Sequence, residues 1–210
     1  RGNNKTLPLR VELIRIYTLG VTGFDTPGSL NVSEEAGHAF TGIKKYINDD
    51  VYFKNYNVQK ANKILNEGIN YVSVNKDFEN FDRIEFYKKY IQPLYEEFGK
   101  WDGRADDLKE FSGWNVKSKN LFSSDFLDPY FYTLLQSTED SNELRSLGKS
   151  IFYDQNLSQN GKMSCAVCHL QENAFTDLKV KSQSNVEGKT VLRNSPSLYN
   201  AVFAKRFFND

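Results

Sequence analysis

The stretch that decides the fold is Cys165-Ala166-Val167-Cys168-His169, in a chain of 210 residues. It holds both cysteines and one of the two histidines of the protein. Scattered cysteines are typical of packed cores or of a disulfide framework. Two thiols and an imidazole placed this close together instead call for a chemical explanation.

The pentapeptide has the form Cys-x-x-Cys-His, which is the attachment signature of c-type haem. Two thiols on one helical turn can reach the vinyl groups on one edge of a porphyrin and form thioether bonds with them. His169 follows directly, so its neutral imidazole can bind the iron as the proximal ligand. We therefore expect one covalent c-type haem, held by Cys165, Cys168 and His169.

Three other interpretations of the pentapeptide stay open. A Cys-x-x-Cys redox pair suits a thioredoxin-like βαβ unit, and no such unit is visible in the sequence. A zinc site needs about two more ligands, and the other histidine, His38, lies in another predicted domain. The third interpretation is a chance occurrence of a short pattern.

The chain before this stretch predicts an all-α architecture. Apolar residues recur at helical spacing in 7–20, 33–47, 58–72 and 82–101. Tyr46 is expected on the apolar face of the second segment and Ile84 on that of the fourth, where Pro93 is a candidate kink. Residues 1–101 are thus expected to form a helical, bundle-like domain.

A change of composition marks the next region. Residues 102–139 begin with a stretch rich in Gly, Ser, Asn, Asp and Lys, with scattered aromatic residues such as Trp114, Phe122 and Phe126. This composition predicts an ordered linker whose aromatic residues pack against another part of the protein. A new helix is expected from Ser141, so a second domain begins near residue 140.

Composition narrows the class of protein. The formal net charge is zero, which gives no support to nucleic-acid binding. No apolar run approaches the roughly 18 residues that a membrane-spanning helix needs. Aromatic residues make up 14% of the chain, which argues against disorder.

The flanks of the pentapeptide carry an ordered series of motifs. These are Leu147-Gly148-Lys149-Ser150-Ile151-Phe152-Tyr153-Asp154, Ala174-Phe175-Thr176-Asp177, Arg193-Asn194-Ser195-Pro196-Ser197-Leu198-Tyr199-Asn200 and Arg206-Phe207-Phe208-Asn209-Asp210. The succession resembles the N-terminal haem domain of the bacterial di-haem cytochrome c peroxidase and methylamine-utilisation family. The helical region before it resembles an extra N-terminal domain of some members.

The resemblance implies that residues 140–210 form a cytochrome c-type haem domain, incomplete at its C-terminus, with a second haem domain expected after it. In the family, the first haem reacts with hydrogen peroxide and the second passes on electrons from a small redox protein. The implied function is a peroxidase-like oxidoreductase, located in the periplasm or cell envelope after secretion across the inner membrane. The chain alone is not expected to turn over efficiently.

Other family positions carry over unevenly. Asn194 matches an asparagine that helps to hold calcium between the two haem domains, although it could equally satisfy loop backbone groups. Asn209 falls where many relatives have a tryptophan between the haems. The catalytic glutamate of the family lies beyond Asp210, so no catalytic residue is assigned.

The distal side of the iron is expected to be open or bound by water. No histidine follows His169, whereas some relatives carry one about fifteen residues later. Met163 lies beside the proximal attachment segment, and His38 belongs to the other predicted domain. Phe175 is interpreted equally well as a core residue or as a haem contact.

Two other functions compete with a peroxidase. A mono-haem electron carrier would transfer electrons without chemistry at the iron, and it usually needs a sixth ligand such as methionine. A non-catalytic alternative makes the N-terminal helices a docking module for a partner protein or the cell envelope. Covalent haem and a visible haem spectrum separate the first two from the third.

Overall fold

The computed structural model describes residues 5–101 and 113–204. The chain forms two compact units, Arg1–Leu127 and Asp128–Asp210. The boundary falls inside 102–139, the stretch that the sequence predicts to be a linker, and residues 113–127 belong to the first unit. The division into 1–101, 102–139 and 140–210 stays a prediction.

Helices build the described part of the first unit. They are α1 (Thr6–Arg15), α2 (Val32–Asp49), α3 (Val58–Val74), the short α4 (Arg83–Phe86) and α5 (Gln92–Lys100). Glu34 and Glu35 lie in the first turn of α2, where negative charge is stabilising. Asn57 caps α3 by accepting a hydrogen bond from the backbone N–H of Gln59. Local sequence signals therefore mark where these helices begin.

The segment from α4 to α5 is helical throughout but irregular. The side chain of Asp82 accepts a hydrogen bond from the N–H of Glu85 and caps α4. A π-helical turn, Tyr87–Ile91, then leads into α5, whose first turn contains Pro93. Proline has no N–H to donate, so a wider turn directly before it accommodates the missing hydrogen bond.

The core of the first unit is aromatic and aliphatic. The rings of Phe40 and Phe86 stack with centroids 5.6 Å apart, and both side chains are fully buried. Gly68 on α3 makes this possible, since a Cβ there would lie 2.8 Å from Cδ2 of Phe40. Two residues expected on apolar faces are instead exposed, Tyr46 by 37% and Ile84 by 56%.

Residues 113–127 pack on these helices. Trp114 donates its indole N–H to the hydroxyl of Tyr95 at 2.8 Å, and Phe126 belongs to the same core. The buried Arg10 donates to the carbonyl oxygens of Val116 at 2.5 Å and Ser118 at 3.0 Å. This stretch is thus tied to α1 and α5 by hydrogen bonds as well as by apolar contact.

The second unit contains α6 (Asn142–Tyr153), α7 (Cys165–Cys168) and short 3₁₀ segments at Pro129–Tyr132, Gln155–Leu157, Gln171–Asn173 and Ala201–Phe203. Ser141 caps α6, since its hydroxyl accepts from the N–H of Leu144 at 3.2 Å. Just before it, Asp140 pairs with Arg145 at 2.6 Å and accepts from the hydroxyl of Tyr130 at 2.6 Å. These contacts fix the start of α6.

Burial in the second unit is polar rather than apolar. Of its described residues, the buried ones are Asp177, Ser182 and Ser195. The apolar face of α6 stays open, with Leu147 exposed by 55% and Ile151 by 45%. An amphipathic helix normally packs this face against other apolar groups.

The all-α prediction is confirmed. Within 5–101 and 113–204, regular structure consists of helices, and the β-type pairings are three isolated antiparallel bridges. None of the helices in these ranges is long and apolar enough to span a membrane.

Candidate functional site

The two thiols lie on the single turn of α7. Cys165 is exposed, Cys168 is half-buried, and both are free thiols. The N–H of His169 donates to the carbonyl oxygen of Cys165 at 3.0 Å, so the imidazole follows directly where the turn ends. The two thiols and the histidine, all predicted site residues, therefore lie on one helical turn and at its C-terminal end.

The imidazole of His169 is oriented by the backbone. Its Nδ1 lies 2.8 Å from the carbonyl oxygen of Phe175. A carbonyl oxygen only accepts, so Nδ1 carries the proton and Nε2 keeps a free lone pair. Histidines that bind metals almost always donate their other ring N–H in this manner, which fixes the tautomer and the orientation of the ring.

A tight turn presents that carbonyl group. Ala174 and Phe175 have φ angles of 55° and 60°, in the left-handed region that residues other than glycine rarely adopt. The N–H of Phe175 donates to the carbonyl oxygen of Leu170 at 2.8 Å, and Leu170 also forms an antiparallel bridge with Thr176. The turn is therefore strained and held from several sides.

Phe175 also connects the elements around the site. Its ring meets Phe152 of α6 edge-on at 6.2 Å and Tyr199 edge-on at 5.6 Å. It is half-buried and borders an open groove of about 450 Å³ together with Gly148, Lys149 and Gln171. Packing and an exposed ring face are both present, so its two interpretations stay open.

A buried polar network begins directly after the turn, at Asp177. The hydroxyls of Ser182 and Ser195 are 2.6 Å apart, and Ser182 also hydrogen-bonds Asp177. Burial alone raises the pKa of Asp177, but hydrogen bonds from the N–H of Lys179 and from Ser182 outweigh it and lower the pKa. Because a carboxylate only accepts, Ser182 donates to Asp177 and Ser195 donates to Ser182.

Ser182 of this network also closes the hairpin-like loop 182–193 through backbone hydrogen bonds. Ser182 donates its N–H to the carbonyl oxygen of Arg193 at 3.2 Å, and the N–H of Val191 donates to Ser182 at 2.9 Å. Sequence reasoning missed the role of both serines in this network. The signal was weak, since Ser182 and Ser195 are thirteen positions apart and lie in polar loops.

These residues fit a c-type haem. The thiols are free, one turn apart, and followed by an imidazole whose Nε2 is available while its Nδ1 is held. The exposed apolar face of α6 belongs to the same unit, and a porphyrin is an apolar plane that needs such surfaces. In the described ranges, no three His, Cys, Asp or Glu residues gather as a metal-binding group, so the zinc interpretation finds no ligand set there.

The remaining predicted positions lie apart from this centre or are not described. Asn194 is exposed and borders a second open groove with Thr176 and Ser197, and calcium binding there stays a prediction. His38 lies on α2 in the first unit, 79% exposed and 3.7 Å from Glu34. Met163 is half-buried, and its N–H donates to Ser158. Asn209 lies outside the described residues.

Residues 142–210 match the family model of the di-haem cytochrome c peroxidases. This part of the chain is similar to the di-haem cytochrome c peroxidases. The matched range begins at the first residue of α6 and includes Cys165, Cys168 and His169. The family binds haem c, in agreement with the fit of these residues to that group.

Two curated relatives are similar to parts of the chain over short ranges. The methylamine utilization protein MauG of Methylophilus methylotrophus is 38% identical over 58 residues, 25% of this chain and 17% of the relative. The cytochrome c551 peroxidase of Pseudomonas aeruginosa is 34% identical over 82 residues, 39% of this chain and 23% of the relative. The chain thus matches about a fifth of each relative's length. No solved structure matches.

Proposed function

We propose that the chain is the N-terminal part of a di-haem cytochrome c peroxidase-like oxidoreductase that reduces hydrogen peroxide with electrons from a small redox protein. One observation carries the proposal. His169 holds its Nδ1 proton on the carbonyl oxygen of Phe175, keeps Nε2 free, and directly follows the helical turn that carries two free thiols. The family match of residues 142–210 supports the same chemistry.

Each site residue has a defined task in this proposal. Cys165 and Cys168 would tether the haem through thioether bonds, and His169 would hold its iron. When bound, the haem supplies the iron centre at which peroxide is reduced. The carbonyl of Phe175 retains the Nδ1 proton and raises the basicity of the imidazole. The apolar side chains of α6, among them Leu147 and Ile151, shield the porphyrin from water.

The distal position is proposed to be open or bound by water, since residues 170–210 contain no histidine or methionine. This favours a peroxide-reacting centre over an electron carrier, which usually fills the sixth position. A low-spin spectrum with two histidine ligands would contradict it.

Reduction of hydrogen peroxide to water consumes two electrons, whereas one iron cycling between its ferrous and ferric forms supplies one. We therefore place a second haem in a further domain of a longer protein, with a calcium ion near Asn194 between the two. Covalent haem attachment normally takes place outside the cytoplasm, so the periplasm or cell envelope is the proposed location.

The test compares steady-state peroxidase activity of the haem-loaded chain with that of a protein extended by the second haem domain. The proposal predicts sustained turnover with a small redox donor only for the extended protein. His169→Ala in the extended protein should abolish turnover while the haem stays attached through both thioethers. Equal rates for the chain and the extended protein would refute the assignment of roles.

A further inference from the structure

The turn that carries the Phe175 carbonyl needs support. Ala174 and Phe175 are consecutive non-glycine residues with positive φ, and Leu178 adds a third at 54°. Left-handed backbone of this kind persists only where neighbouring groups hold it in place. The position of the carbonyl oxygen, and with it the orientation of the His169 ring, depends on what those groups are.

One such group is the side chain of Ser197. Its hydroxyl donates to the carbonyl oxygen of Ala174 at 2.6 Å and accepts from the N–H of Tyr199 at 3.1 Å. The ring of Tyr199 in turn packs edge-on against the ring of Phe175 at 5.6 Å. The Ser197–Tyr199 segment therefore contacts both residues of the strained turn. Ser197 hydrogen-bonds Ala174, and the ring of Tyr199 packs on Phe175.

This segment is itself anchored. Two residues earlier, Ser195 is buried and its hydroxyl lies 2.6 Å from that of Ser182, which also hydrogen-bonds Asp177. Pro196 stands between Ser195 and Ser197, and its ring restricts the backbone there. The backbone that carries Ser197 is thus held in place by the buried Ser195 and by Pro196.

We infer that Ser197 is a positioning residue for the proximal histidine, acting through the Ala174–Phe175 turn. The hydroxyl holds the carbonyl of Ala174, the turn keeps its left-handed form, and the carbonyl of Phe175 stays in line with Nδ1 of His169. The link to iron rests on the proposed function, whereas the link to the imidazole rests on the hydrogen bonds alone.

The main experiment uses the haem-loaded chain and the variant Ser197→Ala. Two spectroscopic signals report the hydrogen bond on Nδ1: the iron–histidine stretching frequency of the ferrous form and the solvent exchange rate of the Nδ1 proton. Ser197→Ala should lower the iron–histidine stretching frequency. It should also increase the exchange rate of the Nδ1 proton by about tenfold, as expected for the loss of one ordinary hydrogen bond. The iron reduction potential should rise because the imidazole becomes a weaker donor.

Two further variants separate positioning from general loosening. Ser197→Thr keeps the hydroxyl and should restore both signals. Ser150→Ala removes a hydroxyl that also donates to a backbone carbonyl, that of Ser146 at 3.0 Å, and should leave both signals at parent values. Parent values in Ser197→Ala, or equal shifts in Ser150→Ala, would overturn the inference.

A second experiment distinguishes a failure of this inference from a failure of the proposed function. If the parent chain shows no haem, the proposed function fails, and the inference is then judged on the full chain without haem. Nitrogen-15 NMR should find the Nδ1–H tautomer of His169 dominant in the parent and lost in Ser197→Ala. The same tautomer in both chains would overturn the role of Ser197.

Discussion

Nδ1 of His169 lies 2.8 Å from the backbone carbonyl oxygen of Phe175, six residues further along the chain. This contact assigns the ring proton to Nδ1 and leaves Nε2 as the nitrogen that can bind a metal. It also couples the histidine to a turn that two non-glycine residues adopt with positive φ. The orientation of the His169 imidazole is therefore set by the backbone as well as by its position after Cys168.

Removal of one thiol should leave the haem attached by the other. For Cys165→Ser, the pyridine haemochrome band should move to longer wavelength than in the parent, because one vinyl group stays unsaturated. In the double variant Cys165→Ser with Cys168→Ser, acidified acetone should extract all haem.

Ser164→Ala is the control for these variants, since Ser164 precedes Cys165 and its side chain makes no capping hydrogen bond. Its spectrum should match that of the parent. Acid-resistant haem in the double variant would show that the attachment is not through these two sulfurs.

Gly68→Ala should destabilise the first unit. The new Cβ would lie 2.8 Å from Cδ2 of Phe40, whose ring is fully buried and stacked on Phe86. Overpacking of this kind costs about 1–3 kcal/mol in the free energy of unfolding, measurable by urea denaturation.

The matched control is Gly42→Ala on α2, where a new Cβ meets nothing within 4 Å. Alanine favours helix over glycine, so this variant should gain about 0.5–1 kcal/mol. If Gly68→Ala stabilised the chain by a similar amount, the close packing of Phe40 on α3 would be wrong.

Arg10→Met should also destabilise the first unit. The Arg10 side chain is buried, donates to the carbonyl oxygens of Val116 and Ser118, and lies over the rings of Tyr95 and Trp114 at 4.1 Å and 5.1 Å. Hydrogen bonds to charged groups contribute about 1.5–3 kcal/mol each, so the loss of both should lower the free energy of unfolding by about 3–6 kcal/mol, measured by thermal and urea unfolding.

Arg15→Met provides the comparison, because Arg15 is 41% exposed and pairs with Glu12 and Asp25 near the surface. Surface pairs contribute about 0–1 kcal/mol. A similar loss in both variants would remove the special role of Arg10 in holding residues 113–127.

The start of α6 should show an acid-dependent contact. Hydrogen bonds from Arg145 and then Tyr130 lower the pKa of Asp140 to about 2, from the ordinary value of 3.8. A lowered carboxyl pKa stabilises the folded state above the ordinary value, and this contribution disappears as the pH falls through about 2. Carbon-13 NMR of the Asp140 carboxyl should therefore titrate well below an ordinary aspartate.

Arg145→Gln should move that titration upward, whereas Lys149→Gln, which removes a positive charge elsewhere on α6, should leave it in place. An ordinary titration midpoint for Asp140 in the parent chain would contradict the contact between Asp140 and Arg145.

Local patterns were enough to predict the helices, since apolar spacing fixes a helix face, and to propose the site residues, since Cys165, Cys168 and His169 are neighbours in the chain. Other features depend on contacts between distant segments. Arg10 meets Val116 across 106 positions, and that pairing has no local signal.

Backbone geometry was the harder part of the site. Positive φ usually coincides with glycine, but Ala174 and Phe175 adopt it without one. The carbonyl that orients His169, and the hydroxyl of Ser197 that holds the turn, were therefore not visible as a pattern of residue types.

The pyridine haemochrome spectrum of the chain, produced together with a c-type haem attachment system, tests the central claim most directly. We expect a Soret band that remains with the polypeptide after denaturation, and a haemochrome band typical of two thioether bonds. A fully matured sample without a Soret band, or with a metal other than iron bound to Cys165 and Cys168, would contradict the account.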